Sequence, residues 1–181
     1  MIIFDVETTG FINSVEAPLA TQPKIIEIFA IKVCDITLEE TDSISMLIDP
    51  KEAISAEITT ITTITDAMVK GQGDFAKHVS EISSFWLGEQ AAAGHNVTFD
   101  CDMLEVELRR LGRVNKFPWT PRRLCTVELS EHYQGRRLKL IDLHTYLFGV
   151  GFEKAHRAEP DVRATHRCLI EMSKRGDLPE L

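Results

Sequence analysis

The β-prone runs of this chain come early and close together, at 2–6 (IIFDV), 25–33 (IIEIFAIKV) and 43–48 (SISMLI), the last stopped by Asp49-Pro50. The connection over 34–42 is too short for the dozen-residue crossover that a parallel return needs, which favours an antiparallel pair there. Two later runs, 91–94 (AAAG) and 123–127, alternate instead with helical patterns. Phe75, Val79, Ile82 and Phe85/Trp86 have helical spacing over 74–87, and Phe99, Met103, Val106 and Leu111 over 98–112. Helices are expected at about 126–133, 138–148 and 160–174, and short helical turns within 54–70, one beginning near Thr65-Asp66. The order β-β-β, α-β-α-β, then helices predicts an α/β fold on a mixed sheet: an antiparallel meander first, then strands joined by crossovers.

The 181 residues suit one domain, and with no internal repeat and no Gly/Ser or Pro linker, 1–181 reads as a single domain. Hydrophobic residues at 44% and charged residues at 27% exclude wholesale disorder. No apolar run approaches the ~18–20 residues of a membrane span. The N-terminal MIIFDVETTG lacks the basic region and cleavage site of a secretion signal, so a cytoplasmic location without membrane association is expected. Cys34, Cys101, Cys125 and Cys168 form no C-x-x-C pair, which excludes a disulfide framework or zinc site by spacing. There is no H-E-x-x-H, no G-x-S-x-G and no phosphate-binding Walker loop.

The net charge of −8 argues by itself against nucleic-acid binding, but its distribution is uneven. Residues 1–100 carry 16 acids against 5 bases, and residues 101–181 carry 12 acids against 15 bases. That asymmetry fits a metal site beside a phosphate track, or simply solvated helix faces.

Several acids sit awkwardly for a core. Asp5 and Glu7 lie in or just beyond the first strand, and side chains at i and i+2 share a face. Two carboxylates side by side near the end of a hydrophobic strand repel and are poorly solvated, a conflict that divalent cations remove. The alternative is that the strand ends at Phe4 and the acids are solvated. Asp100 falls in the first turn of a helix with Thr98 or Asn96 as N-cap, and Asp161 in the first turn of another, with Pro160 suited to its first position. Both are also ordinary placements for an acid at the positive end of a helix. His156 precedes Asp161 by five residues.

Taken in order, FDVETTG, HNVTFD and H-x-A-x-x-D-x-x-A-T resemble the three motifs of the DEDDh family of 3′→5′ exonucleases. This DnaQ-like group includes the proofreading subunit of a bacterial replicative polymerase and ribonuclease T. IIEIFAIKV, ISAEITTITTITDAMV and KLIDLHTYLFG also resemble stretches of that family, so the resemblance spans residue 2 to about 173. It implies a ribonuclease H-like fold, a five-stranded mixed sheet flanked by helices. It implies Asp5, Glu7, Asp100 and Asp161 as the acids that hold two divalent cations, Mg²⁺ or Mn²⁺, with Asp5 bridging and His156 as general base. The implied reaction releases 5′-mononucleotides from a 3′ end.

By the same resemblance, Thr8, Thr9, Gly10 and Phe11 hold the terminal nucleotide, Phe11 against a base, with loop packing as its alternative. His95 and Asn96 either touch the penultimate nucleotide or cap the helix, and capping is the favoured reading. Basic residues at 122–123 and 136–139 are placed to line the strand's path. Thr63 stands where a glycine is usual before Ile64-Thr65, and Glu159 and Pro160 depart from the commonest third motif. The expected partners are a single-stranded 3′ end and a DNA polymerase acting in trans; the sequence sets no oligomeric state. DNA is the expected substrate. RNA trimming on the same site and an inactive nucleic-acid-binding module are the alternatives.

Overall fold

The computed structural model describes residues 1–13, 17–153 and 155–179. Five strands, β1 (Ile2–Thr8), β2 (Ile25–Val33), β3 (Glu40–Leu47), β4 (Ala91–Gly94) and β5 (Arg122–Cys125), form one sheet in the order β3-β2-β1-β4-β5. The α-helices among the described residues are α1 (Ala56–Thr62), α2 (Asp66–Val69), α3 (Phe75–Trp86), α4 (Val97–Arg110), α5 (Thr126–Leu129), α6 (Glu131–Gln134), α7 (Leu140–Phe148) and α8 (Ala158–Arg175). β1 and β3 each run antiparallel to β2, whereas β1–β4 and β4–β5 are parallel. The mixed α/β sheet expected from the spacing of the β-prone runs is therefore the one observed.

Boundaries differ in informative places. β1 extends to Thr8 instead of ending at Val6, so Asp5 and Glu7 are both strand residues. β3 begins at Glu40, three residues early, because an exposed polar segment pairs with the buried β2. α8 begins at Ala158, so Pro160 takes its third position and not its first. The third N–H of a helix also lacks an intrahelical partner, which is why proline is tolerated there.

The two faces of β1 enter different cores. Ile2, Phe4 and Val6 pack with Val79, Ile82 and Trp86 of α3 and with Met103 and Leu104 of α4. The Phe4 and Trp86 rings meet edge to face, centroids 5.1 Å apart. Met1 and Ile3 face the other way, against Val162 and Leu169 of α8. Asp5 and Glu7 continue this second face.

The sheet opens at one place. β4 pairs with β1 only through Ile2↔Ala92 and Ile3↔Ala93, and it ends at Gly94. Beyond that point β1 runs on without a strand on that side. The opening lies at the carboxyl ends of two parallel strands, the usual location of ligand crevices in α/β sheets. Gly94 lets the chain turn tightly there. A Cβ on it would stand 3.1 Å from the Phe4 carbonyl oxygen and 3.2 Å from Val97 Cβ. α4 thus starts directly against the free edge of β1.

Candidate active site

Four acids converge at this opening. Asp5 and Glu7 come from the end of β1 and Asp161 from the first turn of α8. Each of the three offers a carboxylate oxygen, and these oxygens lie within 4.8 Å of one another. Asp100, in the first turn of α4, stands outside that group but is tied to it. Its Oδ1 accepts a hydrogen bond from Val6 N–H at 3.1 Å. A longer β4 would present a main-chain carbonyl to that edge; with β4 ended at Gly94, Asp100 supplies the acceptor. A β-bulge between Glu7 and Thr8 re-aims the chain just past the acids.

The electrostatics follow from burial. Asp100 is only 2% exposed, and burial pushes its carboxyl up to about 8 against the pull of its main-chain hydrogen bonds. Burial and the charges of Asp161, Glu27 and Asp100 push Glu7 up to about 8, with Arg157 opposing. Burial, then Asp100, Glu7, Asp161 and Glu27, hold Asp5 well above the usual carboxylate range. Asp161 is raised to about 6, chiefly by burial. Acids so crowded cannot all ionise unless cations offset them. Asp161 Oδ1 is buried with no hydrogen-bond partner among the described residues, while Oδ2 accepts from His156 N–H at 3.0 Å. An all-oxygen donor set containing an orphaned carboxylate oxygen fits a hard divalent cation such as Mg²⁺ or Mn²⁺.

His156 sits beside this cluster. Its main chain is left-handed, with φ of 67°, and the residue is exposed while its N–H is held by Asp161. The expected nucleotide-holding residues Thr8 to Phe11 follow directly on the acids at the end of β1, and the cavity that Thr9 to Phe11 border is lined by none of the four acids. Thr8 is buried and its hydroxyl donates to Gly10 O at 2.6 Å. Thr9 is locked to Lys24, its N–H donating to Lys24 O and its hydroxyl accepting from Lys24 N–H. Thr9, Gly10 and Phe11 border an open cavity of about 330 Å³. Phe11 is 86% exposed, its ring meeting Phe99 edge-on at 6.1 Å.

His95 and Asn96 do not cap α4 with their side chains. Asn96 occupies the N-cap position in a left-handed conformation, φ 75°, but makes no side-chain cap bond. Thr98 lies inside the helix, so of the two candidates Asn96 is the N-cap. His95 Nδ1 lies 2.9 Å from Thr126 Oγ1, and burial lowers its pKa to about 4, so the ring is neutral.

Two further residues bear on the site and were not singled out from the sequence. Glu27, on β2 opposite Glu7, is buried and holds Arg157 and Ala158 at the start of α8. The available signal was a lone acid in the otherwise apolar run IIEIFAI.

The chain is similar to known exonucleases in sequence and in fold. Residues 2–169 match the RNase T family model, described as exonuclease. The chain is 33% identical over 169 residues to a DNA polymerase III PolC-type of Clostridium perfringens, covering 93% of this chain. It is 34% identical over 176 residues to that of Latilactobacillus sakei, covering 96%. It spans 11% of the length of either relative. Among solved structures, the nuclease domain of 3′hExo, a DEDDh family member bound to rAMP, superposes with a TM-score of 0.79 at 18% identity, covering 98% of this chain and 94% of that one. Exonuclease X in complex with 5′-overhanging duplex DNA gives 0.64 at 24% identity, covering 97% and 92%. These two likenesses establish the ribonuclease H-like fold.

Proposed function

The chain belongs to the DnaQ-like, DEDDh-type exonuclease family, and we propose that it is a metal-dependent 3′→5′ exonuclease releasing 5′-mononucleotides from DNA. The observation that carries this reading is the meeting of Asp5, Glu7 and Asp161 oxygens within 4.8 Å, with Asp100 behind them. Asp5, Glu7, Asp100 and Asp161 are the residues that would hold two divalent cations. When bound, such cations lower the pKa of a water and stabilise a leaving 3′-oxygen.

The chain's own groups do the rest. His156 accepts the proton of the attacking water at an imidazole nitrogen, from a loop whose main chain Asp161 steadies. Thr8, Thr9 and Gly10 present main chain to the terminal nucleotide, and Phe11 offers an exposed face to its base. The Asn96 side chain, which makes no cap bond, and His95 meet the penultimate nucleotide in this reading. The loop before α7 is anchored by Leu138 N–H to Ser130 Oγ at 2.8 Å, and its exposed Arg136, Arg137 and Lys139 line the strand's path.

Residues 1–181 act in this reading as one exonuclease domain. DNA is favoured because the sequence relatives are named as DNA polymerases, and a DNA polymerase is the partner we propose. RNA is the second reading, favoured by the likeness to a nuclease bound to rAMP. A single-stranded 3′ end is the form of substrate that we propose. No helix among the described residues is long and apolar enough to cross a membrane, and we place the work of this protein in the cytoplasm.

The test is a paired digestion of 5′-labelled single-stranded DNA and its RNA counterpart, with Mg²⁺ or Mn²⁺ and with chelator. A ladder shortening from the 3′ end, lost in chelator, is expected, with DNA the faster substrate. No cleavage of either by folded, metal-loaded protein would favour the inactive binding module.

A further inference from the structure

We infer that Glu27 and Arg157 are positioning residues that set where Asp161 stands relative to Asp5 and Glu7, and so set the cation affinity of the site. The inference rests on the metal-binding reading above and concerns residues that touch no substrate.

Glu27 is anomalous where it sits. Its neighbours Ile25, Ile26, Ile28, Phe29, Ala30 and Ile31 are all buried and apolar, yet Glu27 is itself only 6% exposed. An apolar side chain would fill the same place without the desolvation cost of a carboxylate. Buried ion pairs are poor sources of stability compared with such replacements, so core packing does not explain this one.

Its bonds explain it better. Arg157 Nε donates to Glu27 Oε2 at 3.0 Å and Nη2 donates to Oε1 at 2.6 Å. The main-chain N–H of Ala158 donates to Oε2 at 3.0 Å. The two-pronged guanidinium contact fixes orientation, and the third bond fixes the main chain. Arg157 is the N-cap of α8 and makes no side-chain cap bond. A carboxylate from another strand therefore caps this 18-residue helix, satisfying an orphan N–H and facing its positive end.

The pin is placed where the acids need it. Glu27 is the register partner of Glu7, so α8 is fastened to the sheet at the level of the acids. Asp161 follows one helical turn later, its N–H donating to Arg157 O at 3.1 Å. His156 immediately precedes Arg157 and is bonded to Asp161. One contact thus orders both Asp161 and the histidine loop. Arg157 also offsets the charge that Glu27 adds beside Glu7.

The experiment measures Mn²⁺ binding to the full chain from the paramagnetic resonance of the free ion, beside Tm and steady-state kinetics. The double variant Glu27→Leu/Arg157→Met replaces the pair by apolar side chains. Glu27→Gln keeps the shape of the side chain, and Arg157→Lys keeps the charge but loses the fork. The expected result is folded protein with Mn²⁺ affinity reduced about 10–100-fold, as for other groups that orient metal ligands. The kcat should fall while KM for the oligonucleotide changes little, and Arg157→Lys should lie between wild type and Glu27→Gln. Should the double variant fail to fold, Glu27→Gln and Arg157→Lys decide alone. Wild-type Mn²⁺ affinity in folded variants would overturn the inference and leave the exonuclease reading standing. A wild-type protein that takes up no Mn²⁺ would overturn the metal reading, and this inference with it.

Discussion

Asp100 and Asp161 occupy equivalent local positions, each in the first turn of a helix, and are held in opposite ways. Asp100 is 2% exposed and bonded to the edge of the central strand through Val6 N–H. Asp161 is half-buried, and among the described residues its carboxylate is bonded only to the adjacent His156 loop, leaving one oxygen without a partner. One acid completes the sheet; the other is carried to the site on a helix that needs its own anchor. A helix-dipole argument treats the two alike. Tertiary context separates a carboxylate that is part of the scaffold from one reserved for a ligand.

Removing each acid is the strongest way to break that comparison. Asp100→Ala and Asp161→Ala should both lower exonuclease activity by at least about 10³-fold, roughly 4 kcal/mol of transition-state stabilisation. Their stabilities in chelator should diverge. Asp100→Ala leaves a buried N–H unpaired, which costs about 1–3 kcal/mol. In a chain of this size ~1 kcal/mol lowers Tm by about 2–4 °C. Asp161→Ala removes a buried oxygen that had no partner and frees only the exposed His156 N–H, which water can satisfy, so its Tm should stay near wild type. Equal losses of Tm in the two variants would show that the acids are held alike.

His156→Ala probes the Asp161 side alone. Loss of a general base lowers turnover typically by 10²–10⁴-fold. Asp161 keeps its bond from the main-chain N–H of residue 156, so Mn²⁺ affinity should stay close to wild type. A matching fall in metal affinity would mean that the imidazole, and not the peptide group, organises Asp161.

The raised carboxyls give a smaller effect with a definite sign. Glu7 rises from 4.5 to about 8, Asp100 from 3.8 to about 8 and Asp161 from 3.8 to about 6. Folding therefore favours the protonated acids. Their contribution is full below the unfolded values near pH 4 and is lost as pH rises through about 6 to 8. In chelator, Tm should fall by several degrees between about pH 5 and pH 8. Added Mg²⁺ or Mn²⁺ should reverse the fall, more strongly at high pH because cations and protons compete for the same oxygens. A chelated Tm that is flat across this range would count against the crowding of the acids.

Much of this was legible in the chain, unevenly. The run IIEIFAIKV is β2 to the residue, and the spacing of Phe75, Val79 and Ile82 marks the buried face of α3. Periodicity is local, so it could be read. Asp5, Glu7 and Asp161 are brought together as the motif order implied. The extension of β1 beyond Val6 was not legible, since Glu7 and Thr8 look like the end of a strand. They pair because Glu27 and Ile25 lie opposite them. The role of Glu27 was hidden for the same reason: its partner Arg157 is 130 residues away, and Arg157 entered the sequence reading only as one of many bases. Asn96 is the N-cap of α4, as one of the two readings had it, but it caps through its main-chain carbonyl, which accepts from Phe99 N–H, and not through its side chain.

Left-handed backbone supplies the smallest test, and it again sets the Asp161 loop against the scaffold. Thr63 (φ 63°) and His156 (φ 67°) are both non-glycine residues in this region. Thr63 ends α1, between the Thr62 hydroxyl, which accepts from Ile64 N–H, and the fully buried Ile64. Its β-branched side chain is costly in this conformation, by roughly 1–2 kcal/mol. Glycine there loses more chain entropy on folding, roughly 0.5–1 kcal/mol. Thr63→Gly should therefore gain a little, about 1 kcal/mol or less, with Tm up by one or two degrees and activity kept. His156→Gly relieves similar strain but removes the imidazole, so any gain in Tm should come with loss of turnover. If Thr63→Gly lowers activity as His156→Gly does, the strain at 63 belongs to the substrate side of the molecule and not to the scaffold.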